Sequence, residues 1–251
     1  MEHCPKNDAV VVEHLTVAYE QQPVLWDVSL TIPKGTLFAI VGPNGAGKTS
    51  LIKTILGQIR PVFGSVTFGS PAAIGRAEKP PVGYVPQIGS ADWDFPATVL
   101  DIVTMGTYGS LGWFKRPGKA ELARAAQAID KMGMQGYEKR QINQLSGGQQ
   151  QRVFLARALA QQAEIYFMDE PLKGVDMQTE QVILQQLKEL RHQGKTVVVI
   201  HHDIQTVADN FDWVALINLS LIACGPIHEV FHEENLVKTY QGVTIGQKGA
   251  L

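Results

Sequence analysis

The sequence predicts an α/β fold that contains a parallel β-sheet. Three short runs are wholly or almost wholly apolar and indicate buried strands, at Leu37–Val41, Ile165–Asp169 and 197–200. Residues 163–224 alternate strand-like with helix-like segments, which is the pattern that places parallel strands in one sheet. Residues 8–87 are richer in strand-like segments, and we expect an antiparallel β part there.

The segment GPNGAGKT, residues 42–49, matches the phosphate-loop pattern G-x-x-x-x-G-K-[ST] at every fixed position. Its glycines allow backbone N–H groups to surround phosphates, and a helix that starts near Gly47 turns its positive end toward them. In this pattern Lys48 reaches the β- and γ-phosphates, and the Thr49 hydroxyl binds Mg²⁺. A glycine-rich turn without a ligand is the alternative, and the apolar strand and helix patterns around the segment disfavour it. The candidate nucleotide-binding residues here are Gly42, Pro43, Asn44, Gly45, Ala46, Gly47, Lys48, Thr49 and Ser50.

An Asp-Glu pair stands at the end of the second apolar run. The last residue of a parallel strand emerges at the carboxyl edge of the sheet, where we expect the phosphate loop as well. Asp169 can then hold the Mg²⁺ shell, and Glu170 can orient or deprotonate the attacking water. The alternative is that the pair caps a solvated helix.

The signature segment, LSGGQQQR at residues 145–152, precedes the Asp-Glu pair and indicates a second phosphate-binding element. We expect Ser146 to be the N-cap of a helix and the two glycines after it to expose backbone N–H groups. With the phosphate loop and IYFMDE at 165–170, this segment makes nearly the whole chain resemble the ATP-binding-cassette (ABC) ATPases. The resemblance implies a P-loop NTPase (RecA-like) nucleotide-binding domain at 8–241, with an antiparallel β subdomain, a helical subdomain at about 88–162, and a short polar tail at 242–251.

The family resemblance also implies the ligands and the assembly. It implies ATP with Mg²⁺, ATP hydrolysis, and two copies packed head to tail, so that each ATP lies between the phosphate loop of one copy and the signature segment of the other. The signature residues implied at the nucleotide are Leu145, Ser146, Gly147, Gly148 and Gln149.

Single residues outside these segments also match the family. Tyr19 lies where the family stacks an aromatic ring on adenine, although a surface tyrosine remains the alternative. Gln87 matches the family glutamine that reaches Mg²⁺ and water. His202 matches the histidine that contacts the γ-phosphate. Asp176 matches a residue of the loop that crosses to the other subunit. The resemblance thus implies catalytic roles for Lys48, Gln87, Glu170 and His202, and metal contacts for Thr49, Gln87 and Asp169.

The sequence departs from the commonest family pattern directly after the Asp-Glu pair. Lys173 stands where serine is usual, and Gly174 and Val175 stand where alanine and leucine are usual. A contact assigned to the serine hydroxyl is therefore in doubt. Hydrolysis is still expected, because Glu170 and His202 are both present.

Composition agrees with a soluble cytoplasmic protein. The 251 residues, 45% of them hydrophobic, can bury a large core. The formal net charge is −2 and the sequence has no lysine- or arginine-rich run, so no basic surface for nucleic acid is expected. Cys4 and Cys224 follow no metal or redox pattern and are expected to be reduced. The longest apolar run, 213–224, is too short to span a membrane and indicates two strands with a turn at 218–220. The family resemblance implies integral membrane permease subunits as partners, and we therefore expect a peripheral protein on the cytoplasmic face of the membrane.

The segment 91–121 resembles the corresponding part of ATPases from manganese, iron and zinc importers, which work with an extracytoplasmic solute-binding protein. Its large apolar residues suit a docking groove for a partner helix, although filling a small subdomain core is the alternative. They are Trp93, Phe95, Met105, Trp113 and Phe114. We expect the ATP-hydrolysing subunit of an importer for manganese or iron first and zinc second. The alternatives are an importer for a siderophore or vitamin, a soluble ABC protein of DNA repair or translation, and a non-catalytic cassette.

One literal motif points to different chemistry. HEVFH at 228–232 has the spacing of a zinc protease motif, with His228 and His232 as ligands. A catalytic zinc needs a third protein ligand, and the surrounding segment resembles the short helix that ends many ABC ATPases. We therefore expect no catalytic zinc at this position.

Overall fold

The computed structural model describes residues 8–20, 22–69, 80–87, 96–111 and 115–240. Within these ranges the strands are β1 (Asp8–Tyr19), β2 (Gln22–Pro33), β3 (Leu37–Val41), β4 (Phe63–Phe68), β5 (Val82–Val85), β6 (Ile165–Asp169), β7 (Thr196–Ile200), β8 (Trp213–Asn218) and β9 (Ser220–Pro226). The predicted buried strands are therefore confirmed as β3, β6 and β7.

The α-helices of the described residues are α1 (Lys48–Ile55), α2 (Val99–Met105), α3 (Lys119–Lys131), α4 (Gly147–Ala160), α5 (Met177–His192), α6 (Ile204–Asn210), α7 (Ile227–Val230) and α8 (Glu233–Tyr240). Local sequence fixes several of their starts. Thr98 and Asp101 form a reciprocal capping box at the start of α2, which satisfies backbone N–H groups that the helix itself leaves unpaired. Short 3₁₀ turns lie at Gly106–Ser110 and Ile142–Gln144.

The chain divides into two compact units. The first unit contains the residues up to 79 and those from 200 onward, and the second contains 80–199. Residues distant in sequence therefore build the first unit, whereas the second unit is one continuous segment.

In the first unit, the predicted antiparallel part is confirmed. The strands β2, β1 and β4 form an antiparallel sheet in that order. Elsewhere in the unit β3 pairs in parallel with β8, which places Val41 opposite Leu216. All five residues of β3 are buried, as expected for a strand covered on both faces.

The predicted pair of strands at 213–224 is also confirmed, as the antiparallel hairpin β8–β9. Leu219 forms its turn with a positive φ of 59°. The backbone N–H of Leu219 donates to the Ala46 carbonyl (3.2 Å), and the Leu219 carbonyl accepts from the Trp26 N–H (2.7 Å). The hairpin turn thus supports the backbone that follows β3. Cys224 in β9 is a free thiol, and burial raises its pKa to about 12, whereas Cys4 lies outside the described residues.

In the second unit, β5 pairs in parallel with β6, and β7 lies next to β6 in the sheet. The helices α2, α3 and α4 pack against one another. They all lie within the region predicted as the helical subdomain, at about 88–162, whose boundaries remain a prediction. This arrangement places the carboxyl end of β6 and the start of α4 in the same unit.

Candidate active site

The phosphate loop of the first unit follows β3 and leads into α1, as its sequence predicts. Gly45 and Gly47 have positive φ angles of 81° and 90°, which residues with a side chain rarely adopt. A Cβ atom on Gly42 would lie 1.9 Å from the Ile217 carbonyl oxygen, so the loop backbone runs against β8. The glycines are therefore required by local geometry, before any ligand is considered.

Lys48 is buried at the start of α1. Its Nζ donates to the carbonyl oxygens of Gly42 (2.8 Å) and Pro43 (2.7 Å). These two bonds keep the ammonium group against the loop backbone. Asn44 and Gly45 are exposed, so the loop is open to solvent on its other side.

Tyr19 lies at the end of β1, in the same unit as the loop. Its ring is half-exposed, and its hydroxyl oxygen lies 3.4 Å from Ser50 Oγ in the first turn of α1. The ring is thus near α1, the helix that follows the phosphate loop. Both the nucleotide-stacking role and the alternative of a surface tyrosine are compatible with this position.

Two histidines follow β7, and only one of them is buried. The backbone N–H of His201 donates to the Ile40 carbonyl (3.2 Å), and its ring stacks on Phe211 at 6.3 Å between centroids. Asp203 then caps α6 by accepting from the Gln205 N–H (2.9 Å). His202, the predicted γ-phosphate ligand, therefore sits between two fixed neighbours, beside the strand that leads into the phosphate loop.

The predicted carboxylate pair lies at the carboxyl end of β6 in the second unit. Asp169 is buried. The pKa of Tyr84 on β5 is raised to about 12, first because Tyr84 is itself partly buried and second because of the negative charge of Asp169. Glu170 has a positive φ of 53°, a conformation that costs energy in a residue with a side chain. The pair does not cap a helix, because the next helix, α5, starts at Met177.

The Glu170 carboxylate accepts from two donors that come from different segments. Gln87 Nε2 donates to Glu170 Oε2 at 2.7 Å, and Lys173 Nζ lies 2.7 Å from the same oxygen. Gln87 was predicted as a site residue, and the structure brings it to Glu170. The contact of Lys173 was not predicted, since the sequence offered only its departure from the family pattern.

The signature segment starts α4 as predicted, with Ser146 as the N-cap. The Gln149 N–H donates to Ser146 Oγ (3.4 Å), and the Ser146 N–H donates to Gln149 Oε1 (3.0 Å), which completes a capping box. A Cβ atom added to Gly147 would point into open space, with no atom of the described residues beyond its own helical turn within 4 Å. The N-terminus of α4 is thus rigid at Ser146 and accessible at Gly147.

Contacts of three further residues, Tyr137, Arg140 and Gln151, hold the signature helix, and none of them was predicted from the sequence. Gln149 Nε2 contacts the Tyr137 hydroxyl at 3.4 Å, and the Arg140 guanidinium lies over the Tyr137 ring at 4.4 Å. The buried Gln151 donates through Nε2 to the Pro171 carbonyl (2.9 Å). This bond connects the signature helix to the residue directly after Glu170. No local sequence signal identifies such a contact.

Asp176 has a defined structural role within the chain. Its Oδ1 accepts from the Thr179 N–H (2.8 Å), and its Oδ2 accepts from Thr179 Oγ1 (3.1 Å), so it caps α5. These bonds hold the pKa of Asp176 below its ordinary value, and the bond from the Thr179 backbone N–H has the larger effect. Its predicted role in a loop that crosses to a second subunit remains a prediction.

A cavity of about 650 Å³ lies against α2 in the second unit. Met105 lines it, whereas Trp93, Phe95, Trp113 and Phe114 lie outside the described residues, and the docking role stays a prediction. The other lining residues come from several elements, namely α2, the 3₁₀ turn after it, α3 and the residues before each helix, so no single sequence pattern groups them. They include Pro96, Leu100, Tyr108, Pro117 and Leu122.

The HEVFH segment does not form a helical zinc site. The helix α7 ends at Val230, so His228 and His232 do not share one helix. His232 Nε2 lies 3.1 Å from Asn235 Nδ2, and the described part of the chain contains no group of three His, Cys, Asp or Glu residues that could hold a metal ion.

Comparison with known proteins places these elements in one family. The family model described as ABC transporter matches residues 25–173, which is more than half of the 251 residues. The manganese transport system ATP-binding protein MntB of Bacillus subtilis (strain 168) is 56% identical over 93% of this chain and 92% of its own length. The zinc transport system ATP-binding protein TroB of Treponema pallidum (strain Nichols) is 55% identical over 93% of this chain and 87% of its own length. Among the described residues, no helix combines the length and the apolar character needed to cross a membrane.

Solved structures agree with the sequence relatives. An inward-facing ABC transporter assigned to the metal-chelate type is 30% identical, with a TM-score of 0.81 over 93% of this chain and 88% of that chain. The dimeric structure of the bacterial ABC transporter cassette MJ0796 is 28% identical, with a TM-score of 0.74 over 87% of this chain and 98% of that chain. The extent of the family match and the identity to full-length relatives show that the chain belongs to the ABC transporter family.

Proposed function

We propose that this chain is the ATP-hydrolysing subunit of an ABC importer for a divalent transition metal, manganese first and zinc second. The observation that carries the proposal is the 56% identity, across 93% of the chain, to a manganese transport ATP-binding protein. The similar identity to a zinc transport protein makes zinc the second candidate. Iron, which was expected equally with manganese from the sequence, remains an alternative. A measurement of metal uptake distinguishes iron from manganese and zinc as the transported ion.

ATP is bound first by the phosphate loop. The backbone N–H groups of the loop and the positive N-terminus of α1 attract the phosphate oxygens. Lys48 exchanges its bonds to the Gly42 and Pro43 carbonyls for bonds to the β- and γ-phosphates, which requires only a rotation of its side chain. Tyr19 stacks on the adenine ring, close to the helix that carries Ser50.

The residues also suit a bound magnesium ion. Thr49 offers a hydroxyl oxygen, Asp169 a buried carboxylate and Gln87 an amide oxygen, and such oxygen ligands are the donors that Mg²⁺ prefers. A bound Mg²⁺ would neutralise charge on the β- and γ-phosphates during transfer. Thr49, Asp169 and Gln87 are therefore the residues that we assign to its coordination shell.

Glu170 acts as the general base. It accepts a proton from the water whose oxygen attacks the γ-phosphorus, the bond to the β-phosphate oxygen breaks, and ADP leaves. His202 donates a hydrogen bond to a γ-phosphate oxygen and so holds that group for attack. Gln87 orients the water and the carboxylate, which its bond to Glu170 Oε2 favours.

Two copies of the chain complete two such sites. In the proposed head-to-tail dimer, the N-terminus of α4 and the signature residues of one copy contact the γ-phosphate held by the other copy. The open surface at Gly147 and the capping box at Ser146 suit this role. The likeness to a dimeric cassette, at a TM-score of 0.74, supports the same assembly.

ATP binding and hydrolysis by this chain drive conformational change in integral membrane permease subunits. We place their contact at the cavity against α2, since its half-exposed Met105 and Tyr108 suit an apolar helix of a partner. The chain then lies on the cytoplasmic face of the membrane, and an extracytoplasmic binding protein delivers the metal to the permease. The metal itself does not contact this chain.

Uptake by cells that lack the gene tests the function directly. The gene and a Lys48→Ala version, expressed at equal levels, are compared for uptake of radioactive manganese, zinc and iron. We expect the parental gene alone to restore manganese uptake, with competition by zinc. Restoration of iron uptake without manganese or zinc would contradict the assignment, and so would equal uptake with both versions.

A further inference from the structure

We propose that Lys173 is a latch on the catalytic carboxylate, a positioning residue that slows ATP turnover by holding Glu170 in an ion pair. The inference rests on the proposed role of Glu170 as general base. Lys173 Nζ lies 2.7 Å from Glu170 Oε2. No sequence pattern assigns this lysine a function, because the family usually has serine at its position.

The geometry keeps the lysine within reach of the carboxylate. Lys173 is three residues beyond Glu170, and its backbone N–H donates to the Glu170 carbonyl at 3.2 Å, so a tight turn joins the two. The positive φ of Glu170, 53°, belongs to the same turn. The pair therefore arises from local backbone structure and does not depend on a distant segment.

The oxygen that Lys173 binds is also the one that Gln87 binds. Glu170 Oε2 accepts from Gln87 Nε2 and from Lys173 Nζ, each at 2.7 Å. A carboxylate oxygen that accepts a charge-assisted bond is a weaker acceptor for the hydrogen of a water molecule. The positive charge of the ammonium group also stabilises the ionised carboxylate, whichever of its two oxygens is to take the proton. We therefore expect proton transfer from the attacking water to be faster once the lysine has moved away.

The exposure of the two partners makes the latch reversible. The Glu170 side chain is 10% exposed, whereas the Lys173 side chain is 58% exposed. The ammonium group can leave for water, because its own side chain is more than half exposed and an ion pair that reaches the surface weakens as salt is added. The lysine thus restrains the base without blocking catalysis.

The test is the steady-state ATPase rate of the purified full-length chain with Lys173→Met, which keeps the length of the side chain and removes the charge. We expect kcat to rise by about twofold to fivefold, equivalent to at most about 1 kcal/mol of activation free energy, with KM for ATP unchanged. Lys173→Gln, a second neutral variant, should behave in the same way. Lys173→Arg keeps the charge and should stay near the parental rate.

Lys195→Met is the matched control, since it removes an ammonium group that lies 2.7 Å from Glu164 in the same unit, away from the site. Its kcat should equal the parental value. Added salt should raise the parental kcat toward that of Lys173→Met, because salt screens the attraction between the exposed ammonium group and the carboxylate. An unchanged or lower kcat in both neutral variants would overturn the latch.

A failure of the latch can be separated from a failure of the proposed mechanism. Glu170→Gln is added to the parental chain and to the Lys173→Met chain. If both lose turnover while Lys173→Met alone is no faster than the parent, the latch is wrong and the base assignment holds. If Glu170→Gln hydrolyses ATP at the parental rate, the base assignment itself fails, and the latch fails with it.

Discussion

Gln87 and Glu170, which are 83 positions apart in the sequence, meet through a hydrogen bond of 2.7 Å from Gln87 Nε2 to Glu170 Oε2. One follows β5 and the other follows β6, two parallel neighbours in the sheet. The carboxyl ends of parallel neighbours lie at the same edge, so the sheet itself brings the two side chains together. The amide thus bonds directly to the carboxylate to which we assign base catalysis.

Gln87→Ala should slow ATP turnover by about tenfold to a hundredfold, the usual loss when a group that orients a catalytic or metal-binding residue is removed. The phosphate loop is unchanged, so the affinity for ATP in the absence of Mg²⁺ should remain near the parental value. The measurement is kcat beside a nucleotide titration, with Gln127→Ala on the exposed surface of α3 as control. A parental kcat in Gln87→Ala would contradict the role.

Lys48→Ala should act on binding. Loss of a hydrogen bond to a charged partner typically costs about tenfold to a hundredfold in affinity, and Lys48 is the ammonium group that we assign to the phosphates. A fluorescent nucleotide titration measures the change. Lys53→Ala, in the last turn of the same helix, is the control and should bind ATP like the parent. Equal affinity of the two variants would show that Lys48 does not hold phosphate.

Ser146→Arg tests whether the site is shared between two copies, since it places a bulky cation where the signature meets the other copy's nucleotide. Alone, this variant and Lys48→Ala should both be nearly inactive. Mixed, they form heterodimers in which one site carries both changes and the other site carries neither. We expect mixing to restore part of the turnover. Absence of recovery at every mixing ratio would count against composite sites.

Tyr108→Ser should weaken assembly with the membrane subunits while ATP turnover of the isolated chain stays normal. Tyr108 is half-exposed at the cavity against α2, and loss of a buried aromatic anchor at an interface costs about 2 kcal/mol or more. Co-purification with the permease is the measurement. Phe63→Ser, which removes an exposed aromatic ring from β4 in the other unit, is the control. Normal assembly of Tyr108→Ser would place the docking surface elsewhere.

Features that depend on neighbouring residues were predictable from sequence. The phosphate loop, the Ser146 cap and the turn at Leu219 each follow from glycine, serine or alternating apolar residues within a few positions. The bond from Gln151 to the Pro171 carbonyl and the stacking of His201 on Phe211 were not predictable, because their partners are brought together only by the packed fold. The resemblance to a family identified Glu170 and Gln87 separately. Only the structure shows that they touch each other and that Lys173 touches Glu170.

The ATPase rate of Glu170→Gln, taken together with its ATP affinity, shows whether the Glu170 carboxylate is the general base. The substitution keeps the size of the side chain and removes the carboxylate, so kcat should fall by about a hundredfold or more while ATP binds as tightly as before. Glu164→Gln, which changes an exposed carboxylate just before β6 in the same way, should keep the parental kcat. Turnover of Glu170→Gln at the parental rate would contradict the assignment of Glu170 as the general base of this cassette.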